Sequence, residues 1–114
     1  METVDAEGCK NLTSINVEGA ENLMSLNVKE TNITTLNVKD CESLEYLDVS
    51  KTAITELNVE ECANLRTLYY VSCDISDINL EVCDSLRDLD CSNNRILFLD
   101  ASEFRNLGSL KCSH

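Results

Sequence analysis

The chain has 114 residues, of which 43% are hydrophobic and 26% charged, a composition typical of one small folded domain and not of a disordered segment. Its 9 lysines and arginines against 21 aspartates and glutamates give a net charge of −12, which disfavours sequence-independent binding to nucleic acids because phosphate backbones are repelled. No apolar run approaches the ~18 residues of a membrane helix, so we expect no membrane insertion.

A unit of the form Leu-x-x-Leu-x-Val recurs along the whole chain. From Leu23 onward, the spacing between unit starts alternates between ten and eleven, so two consecutive units make one true repeat. The first two spacings are both eleven, which breaks the alternation and indicates an irregularity near the N-terminus. A single unit cannot bury its apolar side alone, so the units are expected to stack. They start at Met1, Leu12, Leu23, Ile33, Leu44, Ile54, Leu65, Ile75, Leu86, Ile96 and Leu107.

Within each unit, the fourth and sixth positions are apolar and the fifth is polar, the alternation of a half-buried strand. Leu47 and Val49 should therefore point inward, whereas Tyr46, Asp48 and Ser50 should face solvent. Each repeat of two units forms one coil of the stack and carries two such segments. Parallel stacking of the coils at ~4.8 Å would build two sheets. The second segment is too short for a real helix.

The sharpest copy of the unit is Leu86–Ile96, LRDLDCSNNRI, which resembles the leucine-rich-repeat signature with its asparagine in place. The resemblance implies a right-handed leucine-rich-repeat solenoid, here of about five 21-residue coils. Most leucine-rich repeats have a helix on the convex side, but the alternation in both segments of this chain predicts short parallel β-strands on two faces and little helix. Residues 1–114 should form one solenoid domain. Neither end carries a polar cap, and bare terminal coils expose leucines and strand edges, so we expect a fragment of a longer protein.

Seven cysteines cannot form a closed disulfide framework. Most of them follow the repeat, which favours stacked, reduced, buried thiols. Bridges between neighbouring coils are the alternative, because equivalent Cα atoms there lie about 5 Å apart. The expected ladders are Cys41, Cys62 and Cys83 in one turn, and Cys91 and Cys112 at the inward sixth position.

The ninth position of alternate units lies in the turn that does not carry Cys41, Cys62 and Cys83. Its side chain should stabilise that turn. Thr31, Thr52, Cys73 and Asn94 align there, where a side chain of this kind bonds backbone groups. Thr and Asn do so well and Cys only weakly, so the turn at Cys73 should be the softest.

No pattern of catalytic or metal-binding residues stands out. The three glycines are isolated, there is no Cys-x-x-Cys, and the only histidine is the terminal His114. A Ser-His-Asp or Cys-His arrangement would depend on that frayed end. We therefore expect no enzyme activity, no metal and no cofactor.

The remaining candidate for function is the outer surface. Nine of the eleven outward fifth positions are Asn or Asp, which we interpret as side-chain ladders between coils in preference to a calcium-binding row. Exposed aromatics beside charges are typical of recognition sites, although Tyr also simply suits strands. The predicted binding surface, here called the tyrosine face, consists of Tyr46, Asp48, Tyr69, Val71, Asp88 and Asp90.

The stretch 86–112, LRDLDCSNNRILFLDASEFRNLGSLKC, resembles bacterial internalin-like adhesins, whose 21-residue repeats carry a cysteine ladder. Upstream, Val28, Val49 and Tyr70 occupy the ladder position instead. The resemblance implies a protein-binding adhesin segment at the cell surface or outside the cell. A cytosolic scaffold and a structural spacer that associates end to end are the alternatives.

Overall fold

The computed structural model describes residues 2–59, 61–75, 78, 83–94 and 108–111, with 109–111 described by their backbone alone. These residues contain no helix, and all their regular structure is short strand. The strands are β1 (Glu2–Asp5), β2 (Ile15–Asn16), β3 (Leu23–Asn27), β4 (Leu36–Asn37), β5 (Tyr46–Asp48), β6 (Thr67–Tyr69), β7 (Asp88–Asp90) and β8 (Ser109–Lys111).

Six of the strands form one parallel sheet in the order β1-β3-β5-β6-β7-β8. Leu26 pairs with Leu47, Leu47 with Leu68, and Leu68 with Leu89, so the same register recurs from each coil to the next. The predicted fold class is confirmed: the chain is a parallel β-solenoid, with about four turns where the sequence predicted about five.

The irregularity predicted near the N-terminus is a bulge in the pairing of β1 with β3. Glu2 pairs with Leu23, but the next residue, Thr3, pairs with Ser25, so the register shifts between Glu2 and Thr3. This shift takes up the extra residue of the first coil and restores the common register before the next strand.

The second face of the solenoid has less strand pairing than the first. β2 pairs with β4 in parallel, and an isolated parallel bridge joins Asn37 to Asn58 on the next coil. The second segment of each coil therefore is extended, as its alternation predicted, although it holds only one or two ladder residues.

The core between the faces consists of branched aliphatics stacked in columns. Leu26, Leu47 and Leu68 on the large sheet are completely buried, as are Ile33 and Ile54 at the opposite corners. Burying one such side chain contributes roughly 1.5–3 kcal/mol, so the columns supply the main driving force for stacking. Side chains of similar size allow every coil to repeat the same cross-section.

Most of the described coil corners require a left-handed backbone at the eighth position of the unit. Gly8 and Gly19 have φ of 78° and 79°, where glycine carries no steric penalty. Further along the chain, Glu30, Lys51 and Asn93 adopt φ of 57° to 60° at the equivalent corner. The corner geometry is thus imposed by the stack even where the residue does not favour it.

The structure corrects one expectation about exposure. Asp48 and Ser50 were predicted to face solvent, yet only 6% and 3% of their surfaces are exposed. Both residues stand on the outer side of the large sheet, but each has a neighbouring coil on either side at ~4.8 Å. The larger side chains of Tyr69 and Val71 in the adjacent coil therefore crowd these two short ones.

Candidate functional site

Two tyrosines meet on the outer side of the six-stranded sheet. The rings of Tyr46 and Tyr69 pack edge to face, with centroids 6.0 Å apart and planes at 88°. The pairing of β5 with β6 produces this contact, because it sets Tyr46 opposite Thr67 and Asp48 opposite Tyr69. The tyrosines are therefore diagonal neighbours, a separation that aromatic side chains can span.

Carboxylates surround this pair. Tyr69 lies between Asp48 on one neighbouring strand and Asp90 on the other, and Asp88 lies opposite Thr67. Partial burial raises the pKa of Tyr69, and the charges of Asp88, Asp48 and Asp90 raise it further. Burial and the charge of Asp48 likewise raise the pKa of Tyr46. The phenols thus sit in a region of negative potential.

A cavity of about 220 Å³ opens beside Tyr69. Four members of the tyrosine face line it, whereas Tyr46 and Asp88 do not. Tyr46 packs against Tyr69, and Asp88 lies on the strand next to that of Tyr69. The structure therefore brings the six predicted residues together on one surface. The cavity is lined by Lys29, Asp48, Ser50, Lys51, Tyr69, Val71, Leu89 and Asp90.

Comparison with known families agrees with this architecture. Residues 85–107 match the family model of the leucine-rich repeat, within a chain whose parallel strands recur in the same register from coil to coil. The matched stretch is similar to a leucine-rich repeat, and the fold of the described residues is consistent with a leucine-rich-repeat solenoid. No curated protein matches it. Leucine-rich-repeat domains generally mediate protein–protein interaction and are typically non-catalytic.

Lys29, Lys51 and Ser50 were not among the predicted site residues. They lie where the strands of two repeats turn away from the sheet, and Lys51 Nζ lies 3.9 Å from Glu30 Oε1 in an exposed ion pair. The signal that could have identified them is their position. They occupy the seventh and eighth places of the two coils preceding Tyr69: Ser50 and Lys51 follow the adjacent strand β5, and Lys29 follows β3, one strand further away.

The Asn and Asp residues of the fifth position cap their own turns. In six of the units the side-chain Oδ1 accepts a hydrogen bond from the backbone N–H two residues later, at 2.9–3.1 Å. The prediction of ladders between coils is therefore wrong for these oxygen atoms. The amide groups of Asn27 and Asn37 do reach another coil, where they donate to Glu7 and Glu18.

Tyr69 interrupts that series, since it occupies a fifth position without an Oδ1 atom. The N–H two residues later belongs to Val71, and it donates instead to Ser50 Oγ of the preceding repeat at 3.0 Å. Ser50 therefore supplies the acceptor that the tyrosine removes. This exchange allows an aromatic ring to stand in a column that otherwise carries short polar side chains.

The cysteines give a mixed outcome. Cys41, Cys62 and Cys83 are free and buried, as the reduced ladder predicted, whereas Cys9 is free and exposed. Cys91 is disulfide-bonded, so the expectation of reduced thiols is wrong for this residue, and the predicted ladder member Cys112 lies outside the described residues. Burial raises the pKa of Cys62 to about 12 and of Cys83 to about 11, so neither is a thiolate at neutral pH.

Side chains at the ninth position stabilise the turns by hydrogen bonds to the backbone, as predicted. Thr31 and Thr52 each donate from Oγ1 to the carbonyl three residues earlier at 2.8 Å. Asn94 donates to the carbonyl of Tyr70 at 2.6 Å and accepts from the N–H groups of Cys73 and Ile75 at 3.1 and 2.9 Å. The turn at Cys73 is thus bridged by the next repeat.

The described ranges contain neither a metal-ligand cluster nor a membrane-spanning helix. No group of three or more potential ligands lies close enough there to hold a metal ion. In the same part of the chain, no helix has the length and apolar character required to cross a membrane.

Proposed function

We propose that this leucine-rich-repeat solenoid binds a protein partner through the tyrosine face. The observation that carries the proposal is the edge-to-face pair of Tyr46 and Tyr69 at the margin of a cavity on an otherwise polar sheet. Aromatic side chains beside a small pocket, with polar groups around them, have the composition of a binding hot spot. Their rigid mounting on two adjacent strands lowers the entropy lost on binding.

We further propose that the chain is a segment of a bacterial surface or secreted adhesin. The resemblance of residues 86–112 to internalin-like repeats supports this role, as does the disulfide bond of Cys91, because disulfides persist in oxidising compartments. A cytosolic scaffold is the second candidate. The five free cysteines among the described residues favour it, since reduced thiols are the rule in the cytosol.

The binding role can be tested with substitutions copied from the repeat itself. Ser25 and Asn27 occupy in β3 the positions that Tyr46 and Tyr69 occupy in their own strands, so Tyr46→Ser and Tyr69→Asn are compatible with the fold. A displayed protein library would be selected against the wild-type solenoid. The selected binders would then be measured against the double variant.

Binders of the proposed face should lose at least about tenfold in affinity on the double variant, because each hot-spot aromatic is worth upwards of about 1 kcal/mol. The matched control is Glu56→Ser on the opposite face, where an exposed side chain changes and the sheet does not. Binders that ignore the double variant would contradict the proposal. Light scattering over a range of protein concentrations tests the remaining alternative, a self-associating spacer.

A further inference from the structure

We infer that the tyrosine face is an arginine-binding site, which receives one guanidinium group from a partner protein over the ring of Tyr69. The inference rests on the proposed function and specifies the chemistry of the partner. It follows from the joint placement of an aromatic ring, three carboxylates and a cavity of limited size.

The first step is the charge around the ring. Asp48 and Asp90 flank Tyr69 on the two adjoining strands, and Asp88 lies one position away. Tyr69 is only half-buried, so part of its ring is open to a ligand. A cation over an aromatic face is attracted by the ring quadrupole, and nearby carboxylates add to that attraction.

The second step is the state of those carboxylates. Asp48 and Asp90 each use Oδ1 to accept the N–H of their own turn, from Ser50 and Ser92. These bonds fix the carboxylates in place without neutralising their charge. Asp48 is buried, whereas Asp88 and Asp90 are half-buried and therefore open to a ligand. The two accessible aspartates lie on the same strand, next to the ring.

The third step is size. The cavity of about 220 Å³ is smaller than the ~300–1,000 Å³ of sites for small-molecule ligands. It suits a single long side chain presented by a macromolecule. Arginine fits better than lysine, because its planar group both stacks on a ring and binds a carboxylate with two parallel N–H donors.

Two lysines line the same cavity, and they define the competing possibility of an anionic ligand. Lys51 lies near Glu30, which offsets its charge, and Lys29 follows β3, three strands away from β7 with Asp88. The carboxylates adjoin the ring itself, on the neighbouring strands. The cation-binding part of the site is therefore the part that includes the aromatic surface.

The test uses a short capped peptide with one central arginine, compared with the same peptide carrying lysine or the neutral isostere citrulline. Binding is followed by NMR through the ring protons of Tyr69 and the amide of Val71. The arginine peptide should shift both signals with a dissociation constant on the order of millimolar, and citrulline should bind at least about fivefold more weakly. Equal binding of citrulline or lysine, or no saturable shift up to about 10 mM, would overturn the inference.

Two variants that each remove one charge from the site provide a second test of the sign of the ligand's charge. Asp90→Asn keeps the Oδ1 acceptor for Ser92, as Asn27 does for Lys29, and should weaken arginine binding several-fold. Lys29→Gln should strengthen it, because a nearby positive charge is removed. The opposite signs for these two variants would indicate an anion site and sink the inference.

The two proposals fail in different ways. If library binders depend on Tyr46 and Tyr69 but tolerate replacement of every arginine they contain, the protein-binding function stands and the arginine site is wrong. If the binders ignore both tyrosines, the proposed function fails first, whatever the peptide shows.

Discussion

The backbone N–H of Val71 donates to the hydroxyl of Ser50, which is stacked beside it in the preceding coil, at a distance of 3.0 Å. Other described repeats satisfy the equivalent N–H from the fifth-position Asn or Asp of the same turn. Ser50 is therefore the residue that permits an aromatic side chain at position 69. A half-buried aromatic residue of the tyrosine face thus depends on a buried hydroxyl in the neighbouring coil.

This relationship predicts a non-additive pair of substitutions. Ser50→Ala removes the acceptor for the partly buried N–H of Val71 and should lower the free energy of unfolding by about 1–3 kcal/mol. Adding Tyr69→Asn should recover much of that loss, because an Asn there can cap its own turn as Asn27 does. Urea unfolding of the two single variants and the double variant measures the coupling; simple additivity would show that Ser50 stabilises the turn in some other way.

Removing the hydroxyl group of Tyr70 should stabilise the fold. It is fully buried at an inward position, and within the described residues its hydroxyl has no hydrogen-bond partner. Tyr70→Phe keeps the ring and removes the unsatisfied group, so we expect the free energy of unfolding to rise by about 1 kcal/mol or more. Tyr69→Phe is the control at a half-buried position and should change stability little. A loss of stability in Tyr70→Phe would mean that the hydroxyl is satisfied in solution.

Asn94 should be among the most sensitive polar residues. Its side chain bonds the carbonyls of Tyr70 and Cys91 and the N–H groups of Cys73 and Ile75, which join two repeats. Asn94→Ala leaves several of these groups without partners and should cost about 2–4 kcal/mol in urea unfolding. Thr31→Ala loses one hydrogen bond within its own turn and should cost only about 1 kcal/mol. Equal losses in the two variants would contradict the bridging role.

The buried thiols predict how stability changes with pH. Burial raises the pKa of Cys62 to about 12 and of Cys83 to about 11, above the ordinary value of 9.0 that an unfolded chain shows. The folded state then holds these protons more tightly, so their contribution is complete below pH 9 and is lost as pH rises from 9 towards 11–12. Urea midpoints between neutral pH and pH 11 should fall more steeply for the wild type than for Cys62→Ala; parallel curves would refute the assignment.

A thiol-reactive dye provides an independent check on the same residues. Cys9 is exposed and should react in the native protein, whereas Cys41, Cys62, Cys73 and Cys83 are buried and should react only after unfolding. The total counted without reductant also bears on the compartment, because additional bridges in the purified protein would favour an oxidising location. Rapid native reaction of Cys62 would show that the ladder opens.

The periodic spacing of Leu and Ile was sufficient to predict the stacked coils, their parallel pairing and an irregularity near the N-terminus, because only consecutive coils can bury that periodic apolar side. The structure located the irregularity between Glu2 and Thr3. The same spacing placed the six residues of the tyrosine face on one surface. Only the tertiary structure decided which hydrogen-bond partner each polar group of that surface has. The turn geometry directs the oxygens of Asp48 and Asp90 to their own backbone, and the close stacking of coils buries Asp48 and Ser50 and delivers the Ser50 hydroxyl to Val71. Periodicity specifies which residues are neighbours, but the choice among competing hydrogen-bond partners depends on atomic distances that exist only once the coils have packed.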